Sequence, residues 1–190
     1  TWSFDDGNGN VETATQTVIV DDISKPVKPT IATATGECSV TVTAPTTTDN
    51  CSGTITGTTS DPLTYSTQGT YTITWSFDDG NGNVETATQT VIVDDVTAPV
   101  AKAKNITVQL NAAGNVTITA SQVNDNSTDN CSIKSIVLDK TAFNCSDLGT
   151  NTVTLTVTDI GDNVSTTTAV VTVQDVTAPT VLTKNITVNL

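Results

Sequence analysis

Residues 1–22, TWSFDDGNGNVETATQTVIVDD, recur without a single change at residues 74–95. An unbroken identity of 22 residues inside a chain of 190 constrains the fold more than any composition does, because it requires an architecture of repeated supersecondary units. The offset is 75 − 2 = 73, from Trp2 to Trp75. A weaker correspondence runs at 129 − 49 = 80: TDNCS carries Asp49 onto Asp129, Phe77 falls on Val157, Asn83 on Asn163 and Pro99 on Pro179. KNITV at Lys104 returns at Lys184 with the same spacing. Pro26, Pro99 and Pro179 then mark equivalent boundaries. Complete repeats are expected over 23–95 and 96–175, with 1–22 the last hairpin of a preceding repeat and 176–190 the first strand of a following one. The repeats differ by 80 − 73 = 7 residues. Pro26 to Asp49 is 23 residues and Pro99 to Asp129 is 30, so the extra residues are expected before TDNC. With no initiator methionine, the chain reads as a window on a longer array.

Each repeat has a period of two. Tyr71, Ile73, Trp75 and Phe77 share one parity with Thr or Ser between them, and Val153, Leu155 and Val157 occupy matching places. One face of each such strand is buried and the other wet, and threonine suits the wet face. DDGNGN, Asp78 to Asn83, lies between two strong strands and supplies the glycine and asparagine of a hairpin turn. No segment has a convincing helical period. Repeats of about 75–80 residues with about seven short strands predict an all-β chain of tandem immunoglobulin-like Greek-key β-sandwich repeats. Such small domains bury only about 60% of their unfolded surface, so their cores need support.

The four cysteines, Cys38, Cys51, Cys131 and Cys145, lack the C-x-x-C knuckles and histidine partners of metal sites. Disulfides in an oxidising, extracellular setting are expected, with free thiols as the alternative. Three pairings are open to four cysteines. The pairing that stays within repeats, Cys38–Cys51 and Cys131–Cys145, is the expectation. Cys51 and Cys131 correspond at the offset of 80, whereas their expected partners do not. Aligning VTVTA at Val40 with VTITA at Val116 puts Gly114 in the place of Cys38, and Cys145 takes the place of Tyr65. Both partner positions are therefore expected near the TDNC turn.

The run TDNC…TYTITWSFDDGNGN…VIVDDVTAP resembles the hyalin (HYR) repeat, an immunoglobulin-like module. It is most similar in flavour to the arrays of large Bacteroidota cell-surface proteins, including gliding-motility adhesins exported by type IX secretion. The resemblance covers nearly the whole chain and implies a stalk or adhesive element with no catalytic residues to carry over. The second repeat departs from the first in writing DIGDN where the first has DGNGN.

Seven lysines against twenty acids leave a net charge of −13, which disfavours nucleic acid and anionic membranes and favours cations. No apolar run approaches the ~18 residues of a membrane span, so no direct insertion is expected. Without histidine, a Ser or Cys nucleophile lacks its usual base, and no catalytic residue is assigned. Exposed aromatics for sugar are scarce, since Tyr71, Trp75 and Phe77 share a face with Ile73. The acidic clusters are the candidate site. In an immunoglobulin-type sandwich the last hairpin turn and the start of the domain lie at one end. Asp94 and Asp95 begin the second repeat, whose last turn carries Asp159 and Asp162; Asp21 and Asp22 begin the first, whose turn carries Asp78 and Asp79. Carboxylates gathered at a junction suit Ca²⁺, which takes 6–8 oxygens; ordinary turn chemistry is the alternative. Asp49 and Asp129 are left out of the set, because a Cys38–Cys51 bridge would draw Asp49 away from the cluster. The expected function is mechanical: a rod or stalk, with possible adhesive contacts, of a long extracellular cell-surface adhesin or filament in gliding or attachment. Its partners would be neighbouring repeats and a surface ligand such as polysaccharide. The alternative is an accessory spacer or carbohydrate-binding module of a large secreted enzyme.

Overall fold

The structure, a computed structural model, describes residues 1–188. Among the described residues fifteen strands succeed one another along the chain. The first nine are β1 (Trp2–Asp5), β2 (Val11–Ala14), β3 (Ala34–Gly36), β4 (Val40–Thr41), β5 (Thr46–Asp49), β6 (Gly53–Thr56), β7 (Thr64–Tyr65), β8 (Gly69–Asp78) and β9 (Val84–Val93). There follow β10 (Ile106–Gln109), β11 (Asn115–Thr117), β12 (Ile133–Leu138), β13 (Ala142–Asn144), β14 (Gly149–Asp159) and β15 (Val164–Gln174). One turn of helix, α1 (Ala120–Val123), lies in the longer segment between Pro99 and Asp129, and a 3-10 turn covers Cys145–Asp147. The expectation of an all-β chain built of several sheets holds. Among the described residues no helix is long and apolar enough to cross a membrane.

Contacts divide the chain into two compact units. The first comprises Thr1–Ala34, Thr41–Leu63 and Tyr71–Val91; the second comprises Thr35–Val40, Thr64–Thr70 and the chain from Ile92 onward. In the first unit the period-two pattern of β8 puts Ile73, Trp75 and Phe77 at no more than 1% exposure. The indole Nε1 of the buried Trp75 donates to Gln89 Oε1 at 3.1 Å, and Gln89 Nε2 donates to Ala32 O at 3.1 Å. A polar atom carried into the core is thus partnered, as burial requires. Gly57 sits against the Phe77 ring: a Cβ there would lie 2.8 Å from Cε1, so the ring's depth depends on glycine.

In the second unit a four-stranded sheet has the order β10-β15-β14-β12. β14 and β15 pair antiparallel from Gly149↔Val173 to Thr158↔Val164, and β12 pairs antiparallel with the other edge of β14. β10 runs parallel to β15, Ile106 facing Val171, and a parallel neighbour so far away in sequence requires a crossover rather than a hairpin. The inward parity of β14 and β15 brings Val153, Ala169, Val171 and Val173 against Leu110, Ile118, Val123 and Phe143. Phe143, the second repeat's one aromatic, is 2% exposed within this core.

The terminal segments behave as isolated β elements do. β1 and β2 pair with each other alone and are exposed throughout. Residues 176–188 form no strand, since a ladder needs a partner; residues 189–190 of the expected final strand lie outside the described residues.

Candidate metal centre

Three acids from three different elements meet in the second unit. Asp95 comes from the segment after β9, Asp129 opens the TDNC turn, and Asp159 ends β14. Each offers a carboxylate oxygen within 4.8 Å of the others. Asp129 is held by an Asx turn: its Oδ2 accepts from Cys131 N at 2.8 Å and Ser132 N at 3.0 Å. Asp159 Oδ1 accepts from Asn163 N at 2.9 Å, and Asp95 Oδ1 from Thr97 N at 3.3 Å. Asp95 O accepts from Asn163 Nδ2 at 2.7 Å, which draws the boundary segment onto the hairpin turn. This close approach depends on Gly161, where a Cβ would fall 2.2 Å from Asp95 O.

One oxygen of each acid is left over. Asp95 Oδ2, Asp129 Oδ1 and Asp159 Oδ2 are buried and have no hydrogen-bond partner, while Asp95 and Asp159 are 2% and 0% exposed. Buried carboxylates without partners are costly, and mutually close ones more so. Burial pushes the Asp95 carboxyl above its ordinary value; the Thr97 N–H pulls it partly back, and the charges of Asp129, Asp159 and Glu37 raise it further. A proton or a cation relieves this arrangement. Oxygen-only donors from several chain segments fit a hard divalent ion, with Ca²⁺ better suited than Mg²⁺ to an irregular set.

The first unit holds the corresponding group in a different state. Asp22, Asp49 and Cys51 come within 4.8 Å of one another, and Asp49 Oδ2 accepts from Cys51 N and Ser52 N at 2.8 and 3.0 Å. Where the second repeat has Gly161 the first has Asn81, whose Nδ2 donates to Asp22 Oδ2 at 3.4 Å and to Ser52 Oγ at 3.3 Å. Asn83 Nδ2 donates to both Asp22 O at 2.9 Å and Asp79 Oδ2 at 2.7 Å. Burial raises the Asp79 carboxyl, but the bonds from the Asn83 side chain and from Asn81 and Asn83 N–H outweigh it and hold Asp79 below its ordinary value. Amide donors here do what a cation would do in the second unit. Partial desolvation, then Asp22, Asp49 and Asp79, push the Cys51 thiol up.

Of the eight acids marked from sequence, Asp22, Asp95 and Asp159 stand in these clusters. Asp79 is buried in its turn, and Asp78 Oδ1 accepts from Gly80 N at 2.9 Å. Asp21 and Asp94 are exposed, and Asp162 turns outward at φ 66° to pair with Lys134. Asp49, Asp129 and Glu37 were missed, although the recurrence of TDNCS marked the first two. Asp49 and Asp129 are left out of the set only on the expected Cys38–Cys51 bridge, and that pairing, with Cys131–Cys145, is corrected. The bond is Cys38–Cys131; Cys51 and Cys145 are free and exposed. Nearness in sequence misled: between Cys38 and Cys51 the chain runs through β4 and β5, and each strand residue carries the ends ~3.3 Å further apart. Cys38 belongs with Cys131 in the second unit, where Asn130 Nδ2 also donates to Glu37 Oε2 at 2.6 Å.

No protein-family model matches the chain, and no curated protein matches it significantly. Among solved structures, "PcdhgB3 EC1-4" is similar at 11% identity with a TM-score of 0.32, over 79% of this chain and 50% of that one. Mouse clustered PcdhgC3 EC1-3 is similar at 15% identity with a TM-score of 0.27, over 55% of this chain and 42% of that one. The endo-fucoidan hydrolase MfFcnA9 of glycoside hydrolase family 107 is similar at 16% identity with a TM-score of 0.24, over 62% and 25%. The chain spans half or less of the length of each.

Proposed function

We propose that the chain is a non-catalytic segment of a long extracellular cell-surface adhesin or filament, and that calcium stiffens it at Asp95, Asp129 and Asp159. In this reading 23–95 and 96–175 are the complete repeats, 1–22 ends a preceding repeat and 176–190 begins a following one. The observation that carries it is the set of three unpartnered, buried carboxylate oxygens contributed by a repeat boundary, a TDNC turn and a last hairpin turn. A cation there ties the start of a repeat to two of its loops, and the short link Asp95-Val96-Thr97-Ala98-Pro99 contains no glycine to loosen it. The resemblance to hyalin-like repeats of large Bacteroidota surface proteins supports a stalk in gliding or attachment, making many weak contacts along its length to a surface ligand such as polysaccharide. The test is the melting temperature and the maximum dimension in solution, with calcium and then with chelator. Calcium is expected to raise the first and narrow the spread of the second. If neither moves, the acids are turn-formers only and the calcium clamp is wrong.

A further inference from the structure

We propose that Cys51 and Cys145 are the open halves of a disulfide that recurs between successive repeats, of which Cys38–Cys131 is the one closed example in this chain. The proposal rests on reading the chain as a window on an array.

Cys51 is presented as Cys131 is. Both follow an Asp whose Oδ2 caps the cysteine N–H at 2.8 Å and the next serine N–H at 3.0 Å. The turn is docked the same way, by Val27 N to Thr48 O at 2.9 Å in one case and Val100 N to Thr128 O at 2.7 Å in the other. The preceding boundary is pinned alike, by Asn83 to Asp22 O and Asn163 to Asp95 O. Cys131 has a partner supplied by the preceding repeat; Cys51 has the scaffold without the partner.

Cys145 is the counterpart of Cys38, although it sits on a different strand. Alignment puts Gly114 in the place of Cys38. A Cβ built on Gly114 would lie 2.7 Å from Cys145 Sγ, and the thiol points to Gly114 O at 3.6 Å. The sulfur therefore occupies the room that a side chain at Gly114 would take. β11 and β13 pair Asn115 with Asn144, as β4 neighbours β7 in the first repeat, so the cysteine has crossed from one strand of the pair to the other. Cys145 also shares a groove with Asp175, whose Oδ1 accepts from Thr177 N at 2.9 Å as Asp95 Oδ1 accepts from Thr97 N. Asp95 lies with Cys131 within 4.8 Å, so the groove beside Asp175 matches the seat of a TDNC turn.

Closure joins two sulfurs and releases two protons and two electrons. A small disulfide such as oxidised glutathione accepts them by exchange and leaves as two thiols. The test extends the full chain by a second copy of residues 111–175. Residues 176–190 already correspond to 96–110, so the extension completes a third repeat. After refolding with oxidised glutathione, non-reducing peptide mapping should find Cys145 bonded to the appended copy of Cys131 in most molecules. Cys145→Ser should leave that copy free, and Cys51→Ser should change nothing. Cys145 found free, or joined to Cys51, in an extended chain that has lengthened by one repeat overturns the proposal while the array reading stands. An extended chain no longer than its parent sinks the array reading itself. If the added segment stays unfolded and Cys145 carries only glutathione, the proposal also falls, because the groove beside Asp175 then seats no following turn.

Discussion

Residues 1–22 and 74–95 have the same sequence and different structures. In the second copy two strands of ten residues bury Trp75 and Phe77 to 1% and 0% exposure. In the first the strands are four residues each, and Trp2 and Phe4 stand 60% and 61% exposed. Two features survive the change of surroundings. The turn is the same: Asp6 Oδ2 accepts from Asn10 Nδ2 at 2.7 Å as Asp79 Oδ2 does from Asn83 Nδ2. The cross-strand pair is the same too, Trp2 to Gln16 at 2.9 Å and Trp75 to Gln89 at 3.1 Å. Turn chemistry and register are therefore local properties of these residues, whereas strand length and burial are conferred by neighbours. A lone hairpin is marginal in water, and a third strand or an apolar cover is what lengthens it.

The sharpest way to break this comparison is to make one substitution in each copy. Phe77→Ala should destabilise the fold by about 3–5 kcal/mol, as loss of a buried ring does. Phe4→Ala should stay within about 0.5 kcal/mol. Urea denaturation of the two variants checks this, and equal losses would mean that the first copy is packed after all.

The cysteines extend the contrast to covalent links. Cys38→Ser removes the one closed bridge, which spans 93 residues of sequence, and should cost about 2–4 kcal/mol. Cys51→Ser and Cys145→Ser should cost less than about 0.5 kcal/mol in this chain, measured by melting under non-reducing conditions.

A smaller effect separates the two acidic clusters. Calcium at a hundred times its dissociation constant should stabilise the chain by about 2–3 kcal/mol. Asp159→Asn should abolish that response, while Asp78→Asn, whose carboxylate caps only Gly80, should keep it. Calorimetric titration of both variants distinguishes a site from a diffuse acidic surface.

The smallest effect is on pH. Asp95 is raised above 3.8 in the folded state, so its contribution is full below that value and is lost as pH rises through the folded pKa. Asp79 and Asp6 are lowered, so theirs is present above 3.8 and lost as pH falls through their folded values. In chelator, melting monitored by second-unit amides should soften as pH rises above about 4, and calcium should reverse that slope by favouring the ionised form. First-unit amides should soften only in stronger acid. One common profile for both units would refute the assignment.

Repetition could be read by setting the chain against itself, and strand parity and turn chemistry because each depends on residues a few positions apart. The alternation from Tyr71 to Phe77 named the buried face, and DDGNGN announced its hairpin. The acidic candidates were half readable: their turns were visible, but Asp129 joins Asp95 and Asp159 only because Gly161 lets the Asp95 backbone approach. The partner of Cys38 was hidden for the same reason. An extended chain carries neighbours in sequence apart and brings distant turns together, so which sulfur meets which, and which carboxylates lose their water, was decided by the packing of whole strands.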